Sequence, residues 1–327
     1  MTSIWSDLTL VTCALKFHDP FLNTTYKFLR ESSTEVIWKI INNDLHDKNL
    51  NVESYLKLDG RLEVTRGPKI NPNHGVYAPG LQHSHALSLA IETIKTKYTI
   101  ILDPDFVIFD WVSILDFCHK EIKLGKDIIG TPWFPTWFNK RLDTIAPHFV
   151  FAQTSVLTKD FIWYPNSPVN QPKLKPKEVT KILRLIKRLA NQLLLNRRLI
   201  NKDSDTFCGS SSFVRKGKAT MLTPIVSRDQ LAKISPHLKF SIGRKIERIV
   251  PKQYRYLRNA YQINVGGLKS GALNLEPWSA SNSIFGIHNR SFSTRKGSNE
   301  YGDTFEEFDS ALEQLSEKKM NLLYNLA

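Results

Sequence analysis

The sequence predicts an α/β fold in which a mostly parallel sheet is flanked by helices. Apolar, β-branched runs at 8–15 and 35–41 enclose an amphipathic helical segment, which is the pattern of a strand–helix–strand unit. A third apolar run, Tyr98–Leu102, ends on two carboxylates, Asp103 and Asp105. Acids at the exit of a buried strand are typical of ligand sites at the carboxyl edge of open α/β sheets.

The first strand–helix–strand unit has polar residues at both strand exits, 16–19 and 42–44. Pro20 suits the first turn of the helix, because its missing N–H is not needed there. A short third strand is predicted at 62–65. This arrangement is typical of a nucleotide-binding half-sheet. The predicted buried face of the helix consists of Phe21, Leu22, Phe28 and Leu29.

The rest of the chain continues the alternation of predicted helices and strands. A loop rich in Gly, Pro and Asn at 67–80 leads into a predicted helix at 83–96, which precedes the strand Tyr98–Leu102. The aromatic segment 132–147 is predicted to be a surface loop or a pocket wall. The other predicted elements are helices at 111–123, 244–259 and 305–326, strands at 127–130 and 148–152, and a Gly-rich loop at 264–271.

The formal net charge of +14 indicates an anionic partner, and much of that charge lies in one segment. Residues 171–202 contain ten Lys or Arg and a single acid. A Pro-rich connector at 165–176 leads into a predicted helix at 178–195 with one apolar and one basic face. Such a helix can bind an anionic membrane surface or pack on the domain with its cationic face in solvent. A nucleic-acid partner is disfavoured, because no nucleic-acid-binding module accompanies the segment.

Cysteine content and hydropathy favour a cytoplasmic protein. The three cysteines, Cys13, Cys118 and Cys208, are odd in number and far apart, which fits a reducing compartment. The sequence shows no signal-peptide pattern and no apolar run approaching about 18 residues. We therefore predict a cytoplasmic chain that contacts the inner face of a membrane only peripherally, if the basic helix binds there.

Asp103 and Asp105 are the strongest candidates for a metal site. Two acids at the end of a buried strand are costly to desolvate unless they are paired, and hard divalent cations prefer oxygen ligands. Pro104 ends the strand, because it cannot donate a ladder hydrogen bond. The alternative is a turn with two solvated aspartates.

The order of these elements up to Asp103-Pro104-Asp105 resembles the GT-A glycosyltransferases of the family 2-like type over about the first 160 residues. The resemblance implies a Rossmann-like GT-A single domain with a mixed, mostly parallel sheet. It also implies that Mn²⁺ or Mg²⁺ bridges the donor diphosphate to Asp105, while Asp103 contacts the donor sugar or ribose. The predicted parts are a nucleotide-sugar-binding part at 1–165, a linker with a basic helical insertion at 166–202, and an acceptor-side part with a C-terminal extension at 203–327.

The resemblance assigns further donor contacts. It implies that the loop 16–19 faces the base and ribose of the donor and that Asp44 holds the base, although Asp44 can equally be a helix N-cap or turn residue. It implies that His85 lines the donor site, with a structural histidine as the alternative. His83 is given no separate role.

A second basic cluster, 285–296, contains His288, Arg290, Arg295 and Lys296. These side chains suit pyrophosphate binding. Because many GT-A enzymes place a C-terminal histidine on the metal, the resemblance implies that His288 is a metal ligand and that Arg290 binds the donor. Without the Asp-X-Asp stretch, the segment would be an ordinary basic loop.

Inverting transfer needs a carboxylate base near the acceptor hydroxyl. In the resembling enzymes this acid follows the mid-domain strands and opens a helix. The resemblance therefore implies that Asp205 is the base, because Asp-Thr before an apolar residue also reads as a helix start. Asp203 is the second candidate and Glu276 the third. A plain helix N-cap is the alternative, and the Glu-Asp pair usual in the resembling enzymes is missing here.

These observations predict a metal-dependent, inverting glycosyltransferase that moves a sugar from a nucleotide-sugar donor to a glycan or lipid-linked acceptor. Two alternatives remain. The chain could be a non-catalytic nucleic-acid or membrane binder built around 171–202. It could also be a nucleotidyltransferase, but such enzymes usually carry a Gly-rich phosphate loop after the first strand, and 15–19 contains no glycine.

Overall fold

The computed structural model of the chain describes residues 4–44, 48–68, 78–132, 144–161, 163, 207–224, 275–281, 283–289, 292–293, 298–299 and 305–317. Several predictions lie outside these residues: the candidate bases Asp203 and Asp205, the phosphate-binding Arg290, and the elements predicted at 178–195, 244–259 and 264–271.

The described residues contain strands and helices in alternation, as predicted. The strands are β1 (Leu8–Ala14), β2 (Ile37–Asn42), β3 (Leu62–Arg66), β4 (Tyr98–Leu102), β5 (Phe106–Ile108), β6 (Ile128–Pro132), β7 (Ile145–Gln153), β8 (Ala219–Met221), β9 (Thr223–Pro224), β10 (Leu275–Ala280), β11 (Ser283–Asn289), β12 (Phe292–Ser293) and β13 (Ser298–Asn299). The helices are α1 (Asp19–Ser32), α2 (Ala78–Glu92), α3 (Trp111–Lys123), α4 (Thr154–Lys159), α5 (Ser211–Arg215) and α6 (Phe305–Glu317).

Seven strands form the main sheet in the order β3-β2-β1-β4-β7-β6-β8. The first four are parallel to one another, β7 runs antiparallel to β4 and β6, and β8 is parallel to β6. The predicted mixed, mostly parallel sheet is therefore confirmed. A second sheet of antiparallel pairs has the order β5-β11-β10-β9, and β12 pairs with β13.

Both faces of the main sheet are buried under helices. Leu10 and Ile100 belong to the hydrophobic cluster that includes residues of α1 and α3, whereas Val11 and Ile101 belong to the cluster that includes residues of α2 and α4. Successive strand residues point to opposite faces, so a strand buried on both sides is mostly apolar. This is why β1 and β4 are near-continuous apolar runs, interrupted only by buried threonines.

Two segments differ from the prediction. The helix predicted at 83–96 begins at Ala78 and ends at Glu92, where the Thr93 hydroxyl donates to the Ala90 carbonyl oxygen at 2.7 Å. Local hydrogen bonds of this kind compete with continuation of a helix. The prediction of a loop over 132–147 was wrong at both ends. Pro132 belongs to β6, Ile145 belongs to β7, and the two residues pair with each other.

No helix among the described residues combines the length and apolar character needed to span a membrane. This finding leaves the predicted peripheral association through the basic helix untested.

Cys13 and Cys118 lie in the core, and burial raises the pKa of both thiols well above their usual value, with Asp103 adding to the effect at Cys13. Because the thiolate is the reactive form, we expect iodoacetamide at pH 8 to leave both cysteines unmodified in the native protein. Guanidinium should make both react. Peptide mass spectrometry checks this expectation, and equal labelling in the native and unfolded proteins would contradict it.

Candidate functional site

The carboxyl end of β4 carries Asp103 and Asp105 into a tight turn. Leu102 pairs with Phe149 of the antiparallel strand β7, so the next residue, Asp103, lies beside His148. The Asp103 amide donates to the His148 carbonyl oxygen at 3.0 Å, and the Phe106 amide donates to the Asp103 carbonyl oxygen at 3.0 Å. The turn between β4 and β5 is therefore fixed by backbone hydrogen bonds on both sides.

Strand β11 brings His288 to this turn. His288 pairs with Phe106 across β11 and β5, and the Asn289 amide donates to the Asp105 carbonyl oxygen at 2.9 Å. As a result, His288 Nε2 lies 3.3 Å from Asp105 Oδ1. The structure thus brings together the two residues predicted to bind the metal, although they are distant in sequence.

Glu276 lies directly behind His288. The two residues face each other across β10 and β11, and Glu276 Oε2 is 2.7 Å from His288 Nδ1. Both are almost fully buried, at 1% and 3% exposure. A carboxylate on one ring nitrogen fixes the orientation of a metal-binding histidine and leaves the other nitrogen for the metal. This contact fits an orienting role for Glu276, which was the third candidate for the base.

His148 completes a group that we call the Asp–His cluster: Asp103, Asp105, His148 and His288. His148 Nδ1 lies 2.8 Å from Asp103 Oδ2, and the His148 ring stacks on that of His288 with centroids 4.1 Å apart. Ligand atoms from Asp103, His148 and His288 all lie within 4.8 Å of one another. Carboxylate oxygens and imidazole nitrogens that converge in this way fit a divalent cation.

Charge interactions in the cluster are strong because its members are buried. Burial alone would raise the pKa of Asp105, but the charge and hydrogen bond of His288, helped by His18 and His148, lower it to about 2. Burial alone would lower the pKa of His288, but Asp105 and Glu276 raise it to about 10. Both shifts favour an ion pair between Asp105 and His288, and a cation bound here would take the place of the proton on His288 Nε2.

Two further histidines border the cluster. His83 Nε2 lies 3.9 Å from Asp103 Oδ1, and burial lowers the pKa of the His83 imidazole. His18 accepts a hydrogen bond from the Leu15 amide at 3.0 Å through Nδ1, and burial likewise lowers the pKa of its side chain. Burial raises the pKa of the Asp103 carboxyl, because burial disfavours the charged form of an acid just as it disfavours the charged form of an imidazole. The first loop and the start of α2 thus lie at the edge of the cluster.

The structure brings His83, which was given no separate role, to Asp103. His85 lies two positions further along α2, and helix residues at i and i+2 do not face the same side. The sequence does not show which of the two histidines faces Asp103, because the pattern of apolar residues leaves the rotation of the helix about its axis open. A donor contact for His85 remains a prediction.

Asp44 ties the exit of β2 to two neighbouring segments. Its carboxylate accepts from the Lys16 amide at 3.3 Å and from the Lys48 amide at 3.4 Å, while the Asp44 amide donates to Asn42 Oδ1 at 3.0 Å. These contacts favour the turn interpretation of Asp44. They also hold the loop 16–19 against the strand edge, where a donor base is predicted to bind.

Sequence reasoning missed His148 as a site residue. It lies in an apolar strand run, where a single histidine usually has a structural role. The signal that identifies it is the antiparallel register of β4 and β7, which places it beside Asp103. That register depends on pairing between distant segments and leaves no local pattern.

Comparison with known proteins gives matches only among solved structures, since no family model and no curated protein matches the chain. The galactosyltransferase LgtC, in complex with donor and acceptor sugar analogues, is 10% identical with a TM-score of 0.38, covering 68% of this chain and 77% of that chain. The mannosyltransferase PcManGT from Pyrobaculum calidifontis, in complex with GDP-Man and Mn²⁺, is 8% identical with a TM-score of 0.39, covering 77% and 79%. S. aureus TarS in complex with UDP is 12% identical with a TM-score of 0.37, covering 76% of each chain.

The first two of these proteins are glycosyltransferases, the class of enzyme that the sequence resembles. At identities of 8–12% and TM-scores of 0.37–0.39, this is a similarity only, and it assigns neither a family nor a ligand to the chain.

Proposed function

We propose that the chain is a metal-dependent glycosyltransferase that uses a nucleotide-sugar donor, with inversion at the transferred carbon. The observation that carries this proposal is the convergence of ligand atoms from Asp103, His148 and His288 within 4.8 Å of one another. His288 also lies 3.3 Å from Asp105 Oδ1 and is backed by Glu276 at 2.7 Å. An acid–imidazole group at the carboxyl edge of a mostly parallel sheet lies where such folds bind nucleotides.

The residues of the cluster fit Mn²⁺ or Mg²⁺. Asp105 and His288 would hold the cation, which supplies positive charge that stabilises the nucleoside diphosphate as it leaves. The two carboxylate oxygens of Asp103 face different partners. Oδ2, 2.8 Å from His148 Nδ1, would face the cation, and Oδ1, on the side of His83, would contact the donor sugar or ribose. The surrounding strands leave only 16% of the Asp103 side chain and 17% of the Asp105 side chain exposed. Low exposure strengthens every charge interaction with the donor.

The remaining assignments belong to the same proposal. Asp44, His85 and Arg290 would contact the donor, and Asp205 would take the proton from the acceptor hydroxyl, with Asp203 as the second candidate. The acceptor is a glycan or a lipid-linked molecule, and the basic segment 171–202 would bring the enzyme to an anionic membrane surface that carries it.

A thermal-shift screen tests the proposal. Selective binding to the folded state raises its stability by mass action, by about 2.7 kcal/mol at a ligand concentration of 100 Kd. We expect one nucleoside diphosphate among UDP, GDP, ADP, CDP and dTDP to raise the Tm when Mn²⁺ is present, by more than the nucleotide or Mn²⁺ alone.

The matched control is the same screen on Asp105→Asn, in which the joint effect of nucleotide and Mn²⁺ should disappear. If none of the five nucleotides raises the Tm of the wild-type protein with Mn²⁺ or Mg²⁺, the proposed donor site is wrong.

A further inference from the structure

We propose that His148 is a metal ligand, so that two imidazoles hold the cation together with carboxylate oxygens and the site selects Mn²⁺ over Mg²⁺. This inference rests on the proposed function, because it adds a ligand to the metal site that the function requires. It concerns a residue on β7, a strand that sequence reasoning did not connect with metal binding.

The contacts of His148 place it inside the cluster. Its Nδ1 is 2.8 Å from Asp103 Oδ2, and its ring stacks on His288 with an interplanar angle of 28°. His148 thus shares its surroundings with a carboxylate and with the imidazole that faces Asp105.

The distances are close to those that a single cation requires. Metal–ligand bonds of about 2.1 Å place two ligand atoms at most about 4.2 Å apart. Asp103, His148 and His288 offer ligand atoms within 4.8 Å of one another, so a small shift of side chains is sufficient. The backbone is suited to hold them, since each of these residues lies on or beside a paired strand.

The ligand chemistry determines the preferred metal. Mg²⁺ favours oxygen ligands and keeps several waters. Mn²⁺ also accepts oxygen ligands, but as a first-row transition metal, although the weakest binder of that series, it takes an imidazole nitrogen more readily than Mg²⁺ does. A second histidine in place of a water or a carboxylate therefore shifts the preference of the site toward Mn²⁺. His148 would cause this shift, because a site made of His288 and two aspartates alone would still have mostly oxygen ligands.

The test counts imidazole ligands directly. Full-length protein is loaded with Mn²⁺ in the absence of any nucleotide sugar, and pulsed electron paramagnetic resonance records nitrogen couplings from coordinated imidazole. We expect two coordinated imidazoles in the wild-type protein and one in each of His148→Gln and His288→Gln. His119→Gln is the matched control and should keep two, because His119 lies on α3 and its ring contacts Tyr98.

A titration measures the selectivity. We expect His148→Gln to weaken Mn²⁺ binding by at least about tenfold and to weaken Mg²⁺ binding less. A single imidazole in the wild-type spectrum, or equal losses for the two metals, would overturn the inference and leave the proposed function standing. If the wild-type protein binds neither metal, the proposed metal dependence itself fails. The wild-type spectrum decides the ligand count even if His148→Gln does not fold.

Discussion

Replacing Asp105 by Asn is expected to lower donor turnover by at least about 10²–10³-fold, the range seen when one electrostatic contact to a developing charge is removed. Asn keeps the shape of Asp but loses the negative charge that faces His288 Nε2 at 3.3 Å. The site would then hold the cation less tightly and at a different position. Release of nucleoside diphosphate is measured with the nucleotide sugar whose nucleotide gives the largest rise in Tm.

A matched control is available on α3, where Asp116 is exposed. Asp116→Asn removes one negative charge at the surface and should leave turnover and Mn²⁺ binding unchanged. Circular dichroism of both variants shows whether the fold is kept. Wild-type rates of donor hydrolysis and transfer in a folded Asp105→Asn protein would rule out the metal role of Asp105.

Replacing Gly286 by Ala is expected to lower the free energy of unfolding by about 1–3 kcal/mol, the usual cost of overpacking a core. A Cβ atom at this position would lie 2.7 Å from Phe106 Cε1 and 2.9 Å from the Val107 carbonyl oxygen. The carbonyl belongs to β5 and cannot move without separating β5 from β11. Equilibrium unfolding in urea measures the change.

Gly60→Ala is the control for this substitution, because a Cβ at Gly60 has no heavy atom within 4 Å. Its unfolding curve should match that of the wild-type protein. We also expect Gly286→Ala to weaken Mn²⁺ binding, since His288 lies two residues further along β11. Equal stability of the two glycine variants would show that β5 and β11 tolerate the extra methyl group.

Individual elements could be predicted from the sequence wherever burial forces a pattern. The helix at 111–123 is predicted with its observed bounds, and β1, β2 and β4 follow directly from apolar runs. Asp103 and Asp105 could be predicted as a site because two acids at a buried strand end need a partner.

Pairing between distant segments could not be predicted in the same way. The approach of His288 to Asp105 was expected only through the resemblance to a family, and the contact of His148 with Asp103 was not expected. Both depend on strand registers, Phe106 opposite His288 and Leu102 opposite Phe149, which arise when distant strands dock. The proximity of His83 to Asp103 could not be predicted for a related reason, since the rotation of α2 is set by the sheet on which it packs.

The pairing of β5 with β11 has a consequence for how the site is made. Strand β5 follows Asp105 directly, whereas β11 is encoded almost at the end of the described chain. During synthesis, the Asp-Pro-Asp turn leaves the ribosome long before His288 and Glu276 do. Contacts of such high sequence separation form late and slowly. The proposed cation site is therefore complete only when β10 and β11 dock, and metal binding at that stage would link the late segment to the early one.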